Sequence, residues 1–320
     1  AFGYLPAHLA CEDADGRLRG VMPLLRQRGL VTGCRFSSLP RTPIGGPLAE
    51  DDQTRALLIE SAIERTRAEP GAYLQIKMPA AMLDGLDVRL VGMPWRESYR
   101  LRLPERPEQL TFGTPRKHAR VQWGVNKAIR LGVRVREADA VRDLRQWYGL
   151  YLETMRWFCV PPRPFRFFEL AWEELRPRGM LRLLMAERMV AGRVQPMAGT
   201  VFLMFGQTVF CAFNGRRSEE LALHPNDLIQ WQAIHDACAA RFREYDLGEV
   251  TRTHPQLAQF KRKWGAQPEW LWRYYYPHSR EVEIGLIESR SRPGQLAHTL
   301  WQHLPLPATA ALGVLAHRYF

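Results

Sequence analysis

The sequence is poor in cysteine and has no long apolar run. Five cysteines are spread over 320 residues, and no two of them form a C-x-x-C pair. A zinc knuckle or a disulfide framework needs closer spacing, so most of the cysteines are expected to be buried thiols in a reducing cytoplasm. No apolar stretch approaches the roughly 20 residues of a membrane span, and no signal peptide opens the chain. Because strand-like sequence follows Ala1 almost at once, we expect a further segment upstream.

The signatures of several large enzyme classes are also absent. The sequence has no G-x-x-x-x-G-K-[ST] and no strand-linked G-x-G-x-x-G, which disfavours P-loop and Rossmann nucleotide chemistry. Its nine histidines show no H-E-x-x-H or facial-triad spacing, so no metal site is predicted. A G-x-S-x-G nucleophile elbow is missing as well. These absences favour a reaction that needs neither a bound metal nor a nucleophilic serine.

Acidic residues are outnumbered by basic ones. The chain has 45 Lys and Arg residues against 33 Asp and Glu residues, a formal net charge of +12 and a pI near 9.9. Such a charge favours a polyanionic partner, which can be nucleic acid, a nucleotide or lipid phosphate, or an anionic membrane surface. A hydrophobic content of 46% with 24% charged residues is ordinary for a globular protein with a sizeable core.

Two parts of the chain show the same order of hairpin, helix and strand. In the first part the pattern predicts a hairpin at 8–25, a helix at 51–68 and a strand at 72–78. In the second part it predicts strands within 180–215, a helix at 224–242 with Asn226 as a plausible N-cap, and a strand at 243–250. The recurrence, at a separation of roughly 175 residues, suggests two copies of one mixed α/β unit.

Two helical stretches lie between these copies, at about 114–131 and 141–158. The first begins near Pro115 and has no acidic residue. Its cations are Arg116, Lys117, Arg120, Lys127 and Arg130. Such a helix either lies on phosphates or presents an exposed basic face, and the sequence leaves both interpretations open.

The stretch 260–265, FKRKWG, places three consecutive cations between two aromatic residues. Taken alone, it reads as a solvated basic turn whose aromatic residues belong to the core. Its sequence context resembles a known family. The matching elements are Pro225-Asn226 before a helix, Tyr245-Asp246-Leu247-Gly248 at a strand end, Leu257, Phe260-Lys261, Trp264-Gly265, a final aromatic strand, the basic 116–130 helix and Val190-Ala191-Gly192 after a turn.

In this order, these elements resemble FemAB-like aminoacyltransferases, which build peptidoglycan interpeptide bridges, and their GNAT-fold relatives. The similarity covers about residues 8–276 and is closest to the subgroup associated with exosortase and exopolysaccharide genes, whose ending the tail at 300–319 also resembles. The resemblance implies an α/β (α+β) fold of two GNAT-like mixed-sheet lobes with bridging helices. We expect a first lobe at 1–110, bridging helices at 111–160, a second lobe at 161–280 and a tail at 281–320.

The resemblance also implies catalytic residues. Lys261 matches a lysine that follows the last helix and points into the substrate channel, where its charge would stabilise the oxyanion formed when an amine attacks an ester or thioester. Phe260 and Trp264 would bury their rings and fix the backbone. Asp246 and Glu249 stand at a strand end, where a carboxylate could take a proton from the amine, or could instead pair with Arg252 or Lys261.

Candidate substrate contacts are spread over the chain: Arg116, Lys117, Arg120, Asn226, Arg252 and Trp264. The expected activity is N-acyl transfer to an amine on a lipid- or nucleotide-linked sugar or peptide of the cell envelope or of an exopolysaccharide. The donor would be aminoacyl-tRNA or acyl-CoA, with no covalently bound cofactor. Ordinary GNAT acetyltransferases carry an Arg/Gln-x-x-Gly-x-Gly/Ala loop, which 27–33 and 191–199 only approximate, and this favours tRNA slightly.

The alternative is a non-catalytic GNAT-like scaffold that binds nucleic acid or an anionic membrane. A cytoplasmic location is expected, with peripheral contact to the inner membrane left open. The apolar tail at 296–320 would dock on the protein itself or on the membrane, and we prefer the first.

Overall fold

The computed structural model describes residues 2–29, 33–251, 254–277 and 300–319. Its α-helices are α1 (Asp52–Arg67), α2 (Pro115–Arg130), α3 (Val141–Trp157), α4 (Phe165–Leu175), α5 (Pro225–Ala239), α6 (Pro255–Lys263) and α7 (Leu306–Tyr319). Its strands are β1 (Leu5–Pro6), β2 (Leu9–Glu12), β3 (Leu18–Met22), β4 (Leu24–Gly29), β5 (Gly33–Ser38), β6 (Leu48–Ala49), β7 (Tyr73–Met78), β8 (Val91–Arg102), β9 (Arg134–Glu137), β10 (Leu181–Val190), β11 (Arg193–Phe205), β12 (Thr208–Arg216), β13 (Glu244–Val250) and β14 (Gln267–Tyr276). No helix among the described residues is long and apolar enough to cross a membrane.

The chain divides into two compact units. The N-terminal unit combines Phe2–Glu97 with Glu269–Gln295 and Leu315–Phe320. Its larger sheet has the strand order β1-β4-β5-β7-β14, in which β5 and β7 are parallel, and β2-β3-β6 form a separate antiparallel sheet. Helix α1 covers this unit's core with Leu58, Ile59, Ala62 and Ile63, which recur at helical spacing on one side.

The central unit combines Ser98–Pro268 with Leu296–Val314. Its strands follow the order β8-β13-β12-β11-β10-β9, and the pair β12 and β13 is parallel. Alternate residues of β10 face opposite sides of the sheet: Leu183 packs with α3 and α4, whereas Leu184 packs with α2 and α5. The sheet therefore separates two hydrophobic cores, and both are covered by helices.

Most of the predicted elements are present. The first hairpin pairs Leu9 with Met22, and α1 begins after Asp51, whose carboxylate accepts a hydrogen bond from Thr54 N at 2.7 Å. The basic helix α2 begins at Pro115 after the Thr114 cap. The α/β fold class with mixed sheets is confirmed.

Two local predictions are wrong. Asn226 is not the cap of α5, because the helix already begins at Pro225 and His224, at φ +56°, holds the cap position without a side-chain bond. The cations at 261–263 do not form a free turn after a helix. They are the last turn of α6, where they lie at the negative end of the helix dipole.

The tail docks on the chain itself. Arg156 Nη1 donates to the Leu304 carbonyl at 3.0 Å, and Gln302 Nε2 donates to the Trp157 carbonyl at 3.1 Å. At Gly313, a Cβ would lie 2.4 Å from the Pro162 carbonyl oxygen, so α7 approaches this loop as closely as only glycine allows. The preferred prediction for the tail is therefore confirmed for its described residues.

Candidate active site

The parallel strands β12 and β13 stay paired over only three residues. Thr208 to Phe210 pair with Glu244 to Asp246, and beyond them β12 continues to Arg216 and β13 to Val250 without pairing to each other. On the side of β13 that faces β12, the backbone groups near its carboxyl end are thereby released from the β12–β13 pairing. In open α/β sheets, this end of parallel strands is where ligands bind.

Asp246 fixes the start of this unpaired segment. Its Oδ1 accepts hydrogen bonds from Ser98 Oγ at 2.9 Å and from Gly248 N at 2.7 Å, and its Oδ2 lies 3.5 Å from Arg100 Nε. The bond to Gly248 N bends the strand, and Gly248 accordingly has a φ of +81°, which favours glycine. Asp246 therefore forms an ion pair with Arg100 of β8, which is not one of the two partners that the sequence suggested.

Lys261 lies on α6 opposite this bend and is only 6% exposed. Its Nζ donates to the carbonyl oxygens of Gly248 at 2.9 Å and Glu249 at 3.0 Å. Burial lowers the pKa of Lys261 to about 8, while the nearby Cys211, Asp246 and Glu249 act in the opposite direction. An ammonium has three N–H groups, so one donor is left after the two carbonyl bonds.

A polar network lies beside the ammonium. Gln230 of α5 donates from Nε2 to Cys211 Sγ at 3.4 Å and accepts a hydrogen bond from Tyr245 Oη at 2.7 Å. Burial raises the pKa of both the Cys211 thiol and the Tyr245 phenol, so both groups are neutral near pH 7. The network therefore adds oriented dipoles to the site without adding charge.

The other residues of the FKRKWG stretch differ from Lys261 in their surroundings, and the aromatic one at its end holds the backbone in place. Trp264 is fully buried and packs edge-on against Phe112 with ring centroids 5.0 Å apart, so it holds the backbone and does not contact a substrate. Arg262 is exposed, whereas Lys263 is half-buried and pairs with Asp227 at 2.5 Å. Lys261 is therefore more deeply buried than either of the two cations that follow it.

The end of α6 meets the start of the basic helix. At Gly265, a Cβ would lie 2.8 Å from Gly113 N, a distance that allows only glycine. This contact places the first turns of α2 beside the FKRKWG stretch, which local sequence patterns did not predict. Arg116, Lys117 and Arg120 are all exposed there, and none forms an ion pair within the described part of the chain.

The remaining candidate contacts are not gathered into one group. Asn226 is half-buried, and its Oδ1 accepts a hydrogen bond from Asn214 Nδ2 at 3.0 Å, which ties the start of α5 to β12. Arg252 lies outside the described residues. Glu249 is half-buried at the end of β13 and contributes its backbone carbonyl to Lys261.

Sequence analysis did not identify Ser98, Arg100, Cys211 or Gln230 as part of this site. Ser98 and Asp246 are 148 residues apart, and no local motif links them. The available signal is the spacing of Ser98 and Arg100, which stand two residues apart on β8 and so face the same side of the strand next to β13.

The chain matches a known family over less than half of its length. Residues 116–262 match the family described as the acetyltransferase (GNAT) domain. A search of the curated proteins found no match.

Several solved structures have the same fold. A structure of FemX matches with a TM-score of 0.64 and 14% identity, covering 89% of this chain and 91% of that one. L-PGS from Bacillus licheniformis matches with a TM-score of 0.59 and 9% identity, with 88% of each chain covered. The C-terminal domain of a candidate lysylphosphatidylglycerol synthetase from Agrobacterium fabrum matches with a TM-score of 0.57 and 12% identity, also over 88% of each chain. The chain thus has a GNAT-like fold, and its residues 116–262 are similar to the acetyltransferase (GNAT) domain.

Proposed function

We propose that this protein transfers an aminoacyl or acyl group from an activated donor to an amine on a cell-envelope or exopolysaccharide precursor. The proposal rests on one observation above all. A nearly buried ammonium, that of Lys261, is held by two backbone carbonyls at the point where β13 has left β12. A cation in such a dehydrated position can stabilise an oxyanion far better than a cation in water can.

The reaction needs alignment and charge stabilisation more than it needs a cofactor. The acceptor amine attacks the carbonyl carbon of an ester or thioester, a C–N bond forms, and negative charge collects on the carbonyl oxygen. In our proposal the third N–H of Lys261 donates to this oxygen. Glu249 takes the proton that the amine loses, and collapse of the intermediate breaks the C–O or C–S bond as Glu249 returns this proton to the departing oxygen or sulfur, which leaves as an alcohol or thiol. With a pKa of about 8, Lys261 is mostly charged at neutral pH.

Asp246 acts in this scheme as a positioning residue. Its carboxylate holds Gly248 N at 2.7 Å, and Gly248 in turn presents the carbonyl that binds Lys261 Nζ. Loss of the carboxylate would therefore move the ammonium without removing it. Since Asp246 is already bonded to Ser98 and close to Arg100, we assign it this positioning role rather than that of the proton acceptor.

For the donor, the proposal favours aminoacyl-tRNA over acyl-CoA. Two solved proteins of this fold are a FemX and a candidate lysylphosphatidylglycerol synthetase, whose name implies an aminoacyl product on a lipid. The stretches 27–33 and 191–199 only approximate the coenzyme-A loop of ordinary GNAT acetyltransferases, which also favours the tRNA.

The basic helix α2 would serve the phosphates of either substrate. Arg116, Lys117 and Arg120 are exposed at its first turns, next to the end of α6. A nucleotide- or lipid-linked acceptor and a tRNA both carry phosphates that such a surface attracts.

We propose that the protein acts on the cytoplasmic side of the envelope and belongs to the subgroup associated with exosortase and exopolysaccharide genes.

The test is a transfer assay with both donor classes in parallel. The full chain is incubated with mixed radiolabelled aminoacyl-tRNAs or with acetyl-CoA, together with amine-bearing lipid-linked and nucleotide-linked sugars and peptides. We expect an acid-stable labelled amide from the aminoacyl-tRNA arm, lost in Lys261→Met and retained in the matched exposed control Arg262→Met. Tight binding of tRNA or anionic vesicles without any amide product would favour the non-catalytic scaffold.

A further inference from the structure

The end of β12 holds an arginine in a fixed position. At Gly215, a Cβ would lie 2.6 Å from Tyr151 N, so this part of the strand is pressed against the backbone of α3. The next residue, Arg216, donates its backbone N–H to Thr154 Oγ1 at 2.8 Å. Two neighbouring contacts with α3 thus fix the backbone from which the Arg216 side chain projects.

The guanidinium of Arg216 has no acidic partner among the residues that the structure describes. Its Nη1 is buried without a hydrogen-bond partner, and its side chain forms no ion pair within the described ranges. The ring of Phe158 lies 6.0 Å from Cζ. Burial lowers the pKa of Arg216, and no charged neighbour offsets this effect.

Two other arginines with a buried nitrogen that lacks a hydrogen bond are compensated by an acid. Arg26 and Arg55 also have a buried nitrogen without a hydrogen bond, but their guanidinium groups pair with Glu69 and Asp52 respectively. Burying a cation without an anion costs free energy, so an uncompensated arginine at a strand end indicates an anion that arrives with a ligand. Arg216 is only partly buried as a whole, which leaves the guanidinium within reach of such a ligand.

The surrounding charges limit the kind of anion. Asn214, which shares a side of β12 with Arg216, donates to Asn226 Oδ1 at 3.0 Å and so brings the start of α5 close. Glu219 and Glu220 follow Arg216 in the chain, whereas Asp227 in the first turn of α5 is buried and already pairs with Lys263. The two glutamates oppose a multiply charged diphosphate. A single carboxylate can instead form two parallel N–H···O bonds with one guanidinium.

We propose that Arg216 binds a carboxylate of the acceptor, which would make the acceptor an amino acid or a peptide-bearing molecule rather than a simple amino sugar. This assignment builds on the proposed acyl transfer, in which the acceptor supplies the amine. The acids near Arg216 suit the same ligand, because a carboxylate and an ammonium on one molecule require a cation and an anion in the site. Binding is measured without turnover, so the assignment can fail while the transfer activity stands.

The experiment compares dialanine with dialaninamide, from which it differs in one group, and with a diphosphate. Saturation-transfer NMR titrations of the full chain use millimolar dialanine, dialaninamide, which lacks the carboxylate, and inorganic pyrophosphate. The variant is Arg216→Met, which keeps most of the aliphatic stem, and the matched control is Arg217→Met at the next position. We expect dialanine to bind the wild type and the control, and to lose about 10- to 100-fold in affinity in Arg216→Met, as is usual for a lost charged hydrogen bond.

The thermal stability of the variant separates this assignment from a structural role. If Arg216 awaits a ligand anion, Arg216→Met removes an uncompensated buried cation and unfolds at the same or a higher temperature than the wild type. Three results would each overturn the proposal. They are equal binding of dialaninamide, preferential binding of pyrophosphate, and a lower unfolding temperature of Arg216→Met with unchanged dialanine affinity.

Discussion

The substitution Lys261→Met tests the candidate site most directly. It keeps most of the aliphatic stem and removes the charge that two carbonyls now hold. If the ammonium stabilises the oxyanion, kcat should fall about 10²- to 10³-fold, which corresponds to about 3–4 kcal/mol in the transition state. KM should change much less, because the interaction strengthens only as charge develops on the carbonyl oxygen.

The expected effect of Lys261→Met on stability follows from two opposing terms. The difference between a pKa of about 8 and the ordinary 10.5 means that burying the charge costs the fold about 3 kcal/mol near neutral pH, which the variant recovers. The variant also leaves the carbonyl oxygens of Gly248 and Glu249 without their donor, at about 1–3 kcal/mol each. The two terms nearly cancel, so urea unfolding should show little net change.

The pH dependence of stability and of kcat gives a second, independent test of the charge of Lys261. Between pH 8 and 10.5 the unfolded chain binds more protons at this lysine than the folded chain does. The stability of the wild type should therefore gain a rising contribution over this window, and Lys261→Met should lack it. In the same variant pair, the kcat of the wild type should fall as the pH rises through about 8, because the ammonium loses its charge.

Three outcomes would refute the reasoning for Lys261. The first is a folded Lys261→Met variant that keeps near-normal turnover of the true substrate. The second is a wild-type rate that rises through pH 8, since it would make the neutral amine the active form. The third is an equal loss in Arg262→Met, which would show a general effect of basic charge rather than a directed one.

Two further substitutions test other parts of the molecule. Reversing Arg116, Lys117 and Arg120 to Glu should raise the KM of the donor or of the acceptor and flatten the salt dependence of binding, whereas an unchanged KM would assign the start of α2 to an ordinary solvated face. Gly313→Ala should cost about 1–3 kcal/mol in urea unfolding, because its Cβ would meet the Pro162 carbonyl oxygen at 2.4 Å. If the tail docks only on the protein, flotation with anionic liposomes should be the same for wild type and Gly313→Ala; greater flotation of the variant would reveal a membrane-binding tail.

Local sequence patterns were enough to predict most of the helices and strands. The apolar residues of α1 recur at helical spacing behind an Asp51 cap, and those of α2 do so behind Thr114 and Pro115. The same local rules failed at Asn226, because a left-handed residue at His224 lets α5 begin two residues earlier than a cap at Asn226 would require. Family resemblance added the GNAT-like fold, which local patterns alone do not specify.

Only the tertiary structure decided how the candidate site is built. The residue type of Lys261 was visible in the sequence, but its pKa depends on burial against the end of β13, and the bend there depends on Asp246 meeting Ser98 from a strand 148 residues away. The missing partner of Arg216 is likewise a property of its surroundings, since 33 acidic residues are present and none of those described pairs with it. Helix propensity and capping act within a few residues along the chain, whereas desolvation and ion pairing depend on which distant segments the fold brings together.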